Sequence, residues 1–324
     1  MKKIIALALS AVMALSMVAC GGETKTETHE LKIATVQTAA HGTKCFASVT
    51  AVVEGDTIVA AYIDEYQYMG GEVAGVPNSE SFAETILDGK KLVSKRAENE
   101  IYSANMAAAG STVEIAANYD AVQAHVAGKT IADVEALALG DAQAAIDAVA
   151  GCTLADTRGY LGAVVTAAKA AQAAPAVTVE GSLEGYTLKR VLGAAHGTKC
   201  FAEVAAFTNG EKVALAFIDE YQFIAAEDVT GVPNTESLAA NLAEGKALIS
   251  KRAENDYYSA KMAAAGSTVT IAANYDAIQA HVAGKAIADL EAEIAGELAA
   301  DAVAGCTLVD AAGYIRVILE AAKA

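Results

Sequence analysis

Hydrophobic and polar positions change period along this chain, and the same order of changes recurs in its second half. Cys45 to Val53 is a run of apolar and β-branched residues, Glu54-Gly55-Asp56 is turn chemistry, and Thr57 to Ile63 is a second such run. The pattern predicts a β-hairpin. Asn209-Gly210 supplies the equivalent turn in the second half. Gly75-Val76-Pro77-Asn78 and Gly231-Val232-Pro233-Asn234 read as loops. Helical spacing follows over 80–109, over 119–139 and from Asp156 to Ala171. Strands come first and helices mostly later, which predicts an α+β class with a small antiparallel sheet in each half.

The two halves are copies. Ala39 to Ala47 recurs at Ala194 to Ala202, 155 residues later, and Ile63-Asp64-Glu65-Tyr66-Gln67 recurs as Ile218-Asp219-Glu220-Tyr221-Gln222. Lys95 to Asn99 returns at Lys251 to Asn255, and Asn118-Tyr119-Asp120 with His125 returns as Asn274-Tyr275-Asp276 with His281. A unit of about 150 residues can bury a core of its own, so the expectation is two tandem homologous domains. They span 31–172 and 186–324, with a Pro- and Gly-containing linker at 173–185.

The N-terminus predicts export. Lys2 and Lys3 precede the uncharged run Ile4 to Ala19, which is too short to span a bilayer and reads as a signal peptide, residues 1–19. Met17-Val18-Ala19-Cys20 is similar to a bacterial lipobox, which makes Cys20 the acylated N-terminal residue and palmitate an expected modification. Two acyl chains give stable anchoring, and the polar stretch 20–30 reads as a flexible tether. The expected location is the extracytoplasmic face of the cell membrane, lipid-anchored. The formal charge of −17 argues against binding nucleic acid.

Each copy ends on one heptapeptide, Asp147-Ala148-Val149-Ala150-Gly151-Cys152-Thr153 and Asp301-Ala302-Val303-Ala304-Gly305-Cys306-Thr307. Gly151 and Gly305 permit a tight bend that would expose the threonine hydroxyl. Asp156 and Asp310 read as N-caps of the helices that follow, whose N-termini suit a phosphate. The heptapeptide resembles the D-x-x-[ST]-G-A-T motif of FMN-binding domains, with Ala150 and Ala304 at the hydroxyl position and Cys152 and Cys306 at the alanine. That resemblance implies FMN carried in phosphoester linkage on Thr153 and Thr307, two cofactors per chain. Asp147, Gly151, Asp301 and Gly305 are then the other motif residues, the aspartates orienting the turn or helping to deprotonate the threonine. With the lipobox, the H-G-T-K-C-F start, the I-D-E-Y-Q strand and the G-V-P-N loop, the whole chain resembles the PplA-type flavolipoproteins of Gram-positive bacteria, also described as pheromone-precursor lipoproteins. The resemblance implies an electron carrier rather than a turnover enzyme. Its partners would be a flavin transferase, a membrane quinol or NADH oxidoreductase, extracellular acceptors such as ferric iron, and the lipid bilayer.

Other residues leave alternatives open. Tyr66, Tyr221, Tyr68 and Phe223 suit either flavin stacking or a core. Lys95-Arg96 and Lys251-Arg252 suit either the phosphate or a solvated helix face. Beside Cys20 there are four cysteines, and pairing Cys45 with Cys152 and Cys200 with Cys306 is the economical expectation, against four free buried thiols. No metal-ligand spacing is present, and His41, His125, His196 and His281 read as surface or capping residues. Two rival functions fit the same residues: a noncovalent small-ligand-binding lipoprotein, and a precursor whose signal peptide is the active product.

Overall fold

A computed structural model describes residues 26–296, 298–299 and 301–324. The signal peptide and the lipidated Cys20 lie outside the described residues. Both predicted hairpins are present, and each is extended by one strand on either side. In the first half β1 (Thr28–Thr38), β2 (Cys45–Glu54), β3 (Thr57–Met69) and β4 (Lys91–Ser94) are antiparallel neighbours, and β5 (Val177–Glu180) adds to the free side of β1, giving the order β4-β3-β2-β1-β5. In the second half β6 (Thr187–Gly193), β7 (Cys200–Thr208), β8 (Val213–Ala225) and β9 (Lys246–Ser250) pair in sequence. A bulge interrupts each hairpin ladder, at Val52/Val53 and at Phe207/Thr208. The class is α+β, two tandem sheet-plus-helix halves.

Except for the short α6, which precedes β9, the helices follow β4 and β9. α1 (Asn99–Ala108), α2 (Ile115–Val126), α3 (Ile131–Leu139), α4 (Ala142–Ala148) and α5 (Thr157–Ala173) belong to the first half. α6 (Thr235–Leu238), α7 (Asn255–Ala264), α8 (Ile271–Val282), α9 (Ile287–Ala295) and α10 (Ala311–Lys323) belong to the second. The helix expected over 80–109 is corrected: a 3₁₀ turn (Ser79–Thr85) and strand β4 occupy its first half. The helix expected over 119–139 is two helices, broken at Gly128. Among the described residues, no helix is long and apolar enough to cross a membrane.

α5 buries Tyr160, Leu161, Val164, Val165, Ala168 and Ala171, one helical face, against β1, β2 and α3. Each large apolar side chain on such a face contributes about 1.5–3 kcal/mol when fully buried. Its first turn lies so close to the loop between β1 and β2 that a Cβ at Gly159 would overlap the Ala40 carbonyl, and Gly313 meets Ala195 in the same way in the second half.

The two halves face each other rather than standing apart. β1 packs on β8 and β3 on β6, and Ala205, Phe207, Leu215 and Phe217 belong to the first half's core. Phe46, Tyr66, Phe201 and Tyr221 form a four-ring cluster across the junction, with ring centroids 5.1–6.2 Å apart. The expected boundaries shift accordingly. Residues 28–30, read as tether, are the start of β1, and the linker supplies β5 because its Val-Thr-Val run can pair with that strand.

Candidate functional site

Thr153 and Thr307 both stand exposed on tight bends that follow a positive-φ glycine, Gly151 at 88° and Gly305 at 83°. A residue with a Cβ is strained in that conformation, which explains the glycine at both places. The bend begins where Cys152 N–H donates to Val149 O at 3.1 Å, and Cys306 to Val303 at 3.0 Å. It is then pinned from outside the motif. Asn118, fully buried on α2, accepts at Oδ1 from Thr153 N–H at 2.7 Å and from Thr153 Oγ1–H at 3.3 Å. Asn274 on α8 does the same for Thr307, at 2.6 and 3.2 Å. Each asparagine was visible as part of a repeated Asn-Tyr-Asp string, but its partner lies more than thirty residues downstream, where no local pattern points.

The motif aspartates are elsewhere. Asp147 is exposed near the end of α4 and accepts from Gln143 Nε2 at 2.8 Å, and Asp301 is exposed. Asn118, not Asp147, therefore holds the turn. Asp156 and Asp310 do occupy the N-cap positions of α5 and α10, but neither side chain caps its helix. Each turns instead to a histidine: Nδ1 of His41 and of His196 lies 2.6 Å from the carboxylate of Asp156 and of Asp310. Beside Thr153 an open groove of about 400 Å³ is lined by Met106, Gly110, Thr112 and Leu154. Beside Thr307 a cavity of about 500 Å³ is lined by Leu298, Val303, Cys306, Leu308 and Val309. An exposed hydroxyl on a fixed bend, beside an open recess of mixed polar and apolar lining, leaves room for a phosphoester-linked group such as FMN.

Behind each turn lies a buried charge network. Glu65 on β3 receives Lys95 Nζ at 2.6 Å, Tyr119 OH at 2.9 Å and Tyr160 OH at 3.0 Å. Glu220 receives Lys251 at 2.7 Å and Tyr275 and Tyr314 at 2.8 Å. Burial alone would depress Lys95; the Glu65 carboxylate more than offsets it and holds the ammonium above its ordinary value. Lys95 is thus neither a phosphate ligand nor on a solvated face. Arg96 is occupied too, bonding Ile63 O, Gln123 and Asp120 at 2.6–2.8 Å. Lys251 and Arg252 repeat both arrangements.

The expected disulfides are absent: Cys45, Cys152, Cys200 and Cys306 are free thiols. Cys45 and Cys200 donate to the His41 and His196 carbonyls at 3.0 Å and approach Glu65 and Glu220 at 3.7 and 3.5 Å. Cys152 meets the Thr157 hydroxyl at 3.3 Å instead. Tyr66 and Tyr221 are core residues of the junction, Tyr68 is buried, and Phe223 packs on Phe82 at 5.0 Å.

The duplication is not exact at the junction. Gln37 on β1 reaches across to Asp219 Oδ2 at 3.2 Å and Tyr221 OH at 2.9 Å, whereas Leu192 stands at the same place on β6. On the Leu192 side a cavity of about 690 Å³ remains, lined by Tyr62, Asp64, Ser79, Ser94 and Arg190. Comparison with protein-family models, curated proteins and solved structures finds no match to this chain.

Proposed function

We propose that this protein is a membrane-anchored, extracytoplasmic electron carrier with FMN bound covalently to Thr153 and Thr307. It passes electrons from a membrane quinol oxidoreductase to extracellular acceptors such as ferric iron. The supporting observation is that two exposed threonines keep one geometry while their surroundings diverge. The interval from Asn118 to Thr153 is 35 residues and that from Asn274 to Thr307 is 33, yet bend, glycine angle and asparagine contact coincide.

FMN, when bound, supplies the redox chemistry, taking electrons one or two at a time. The chain supplies attachment at Oγ1, an open recess beside each turn, and a frame in which the two turns are parts of one packed unit. Acylated Cys20 would hold that unit at the bilayer. The test is co-expression with a flavin transferase, followed by flavin fluorescence on a denaturing gel. Thr153→Ala and Thr307→Ala each remove about half the covalent signal, and the double variant removes it all. Full fluorescence in the double variant refutes the assignment.

The cavity beside Leu192 favours a second reading, a lipoprotein that binds a small molecule noncovalently between its halves, with bare threonines. Intact mass of cell-derived protein separates the two, because only the first adds flavin mass to the chain.

A further inference from the structure

We infer that Asn118 and Asn274 are positioning residues for cofactor attachment, each presenting its threonine oxygen to an incoming phosphorus. The inference rests on the covalent-flavin reading. Asn118 has no hydrogen-bonding capacity to spare: Nδ2 donates to Val113 O at 3.2 Å and Glu114 O at 2.9 Å, while Oδ1 takes both Thr153 donors. Asn274 is saturated in the same way by Val269, Thr270 and Thr307. A flipped amide would set N–H against N–H, so the acceptor oxygen is fixed on the threonine side. Burial of the asparagine makes the arrangement rigid as well as directed.

With its proton drawn inward to Oδ1, the threonine oxygen has its lone pairs left for the solvent side. Attachment from a flavin phosphoanhydride then forms the Oγ1–P bond and breaks the P–O bond to the leaving phosphate. As the bond forms, the Oγ1–H turns out from Oδ1 and its proton passes to a base on the modifying enzyme, and no electrons change hands. Afterwards Oγ1 and Oδ1 are both acceptors, so the modified side chain turns away from the asparagine while the Thr153 N–H bond stays.

The test is site-resolved labelling of the full chain by a flavin transferase with a flavin dinucleotide, read by peptide mass spectrometry. In Asn118→Ala, labelling of Thr153 slows tenfold or more in kcat while Thr307 keeps the wild-type rate; Asn274→Ala reverses the pattern. Asn118→Asp adds a readout that a purely structural role would not move. Its protonated carboxyl still donates to Glu114 O and accepts from Thr153, so labelling of Thr153 falls as pH rises whereas Thr307 follows the wild-type profile. Wild-type labelling of Thr153 in Asn118→Ala overturns the proposal, and so does equal loss at both threonines in either alanine variant. Absence of label from both threonines of the wild-type chain refutes the covalent-flavin reading itself.

Discussion

Asn234 in the second repeat donates its side-chain amide to the carbonyl of Cys45 in the first at 2.7 Å. Asn78 returns the contact to Cys200 at the same distance, and each amide also reaches a glycine carbonyl, Gly42 or Gly197. The loop that opens one repeat is therefore clamped by the other. Both asparagines have φ of 64°, a conformation that glycine adopts without strain. Asn234→Gly consequently removes the clamp and keeps the backbone. It costs about 1–3 kcal/mol, the loss expected when carbonyls lose their donors. Urea unfolding of the single and double glycine variants measures it, and a double variant as stable as wild type would mean the clamp contributes nothing.

Lys95 and Glu65 are 1 % and 0 % exposed, which decides the effect of breaking the pair. Lys95→Met leaves a carboxylate buried with only tyrosine and thiol donors and destabilises by about 3–5 kcal/mol. Glu65→Gln in the same chain removes the stranded charge and recovers much of that loss. Thermal melts of both single variants and the pair test the coupling.

Free thiols predict a reactivity order. Burial first, and the neighbouring Glu65 and Glu220 carboxylates next, push Cys45 and Cys200 up to about 12. Cys306 is half-buried and is raised by burial too. In a Cys20→Ser chain, a thiol reagent at pH 8 modifies Cys306 well before Cys45 or Cys200, because thiolate is the reacting form. Four equivalents react once the chain is unfolded without reductant; two or none would restore the disulfides.

Asp219 gives the pH dependence. Burial pushes its carboxyl up to about 6, with Glu203 adding to the rise, while Ser250 and Arg252 oppose it. Its folded value lies above the ordinary 3.8, so between these limits the folded chain holds the extra proton. Stability therefore falls as pH rises through that window and levels off above it. Asp219→Asn removes this part of the slope, about 2–3 kcal/mol at most. The measurement is the difference in urea midpoint between wild type and variant from pH 4 to 7, and identical slopes would contradict it.

The strands and turns of both hairpins were legible because apolar, β-branched runs flank turn residues, and α5 because its apolar face repeats over seventeen positions. β4 was not, since four residues inside a longer helix-like pattern carry no period of their own. Thr28 to Glu30 are polar and mimic a tether; pairing with β5 makes them strand. At the site, the duplicated glycine and threonine announced themselves. Asn118, His41 and the buried Lys95 did not, because their roles depend on partners brought together only by folding.

The junction between the repeats is itself woven into the first sheet: Thr28 to Leu31 align with Glu180 to Val177, on the side of β1 away from β2. A chain ended after residue 172 bares the outer edge of β1, and one begun at 173 carries an orphan ribbon with nothing to lie against. Trimming this duplicated molecule to a single-cofactor version must therefore cut beyond Glu180, and must also supply new cover for the aromatic face the lost half used to shield.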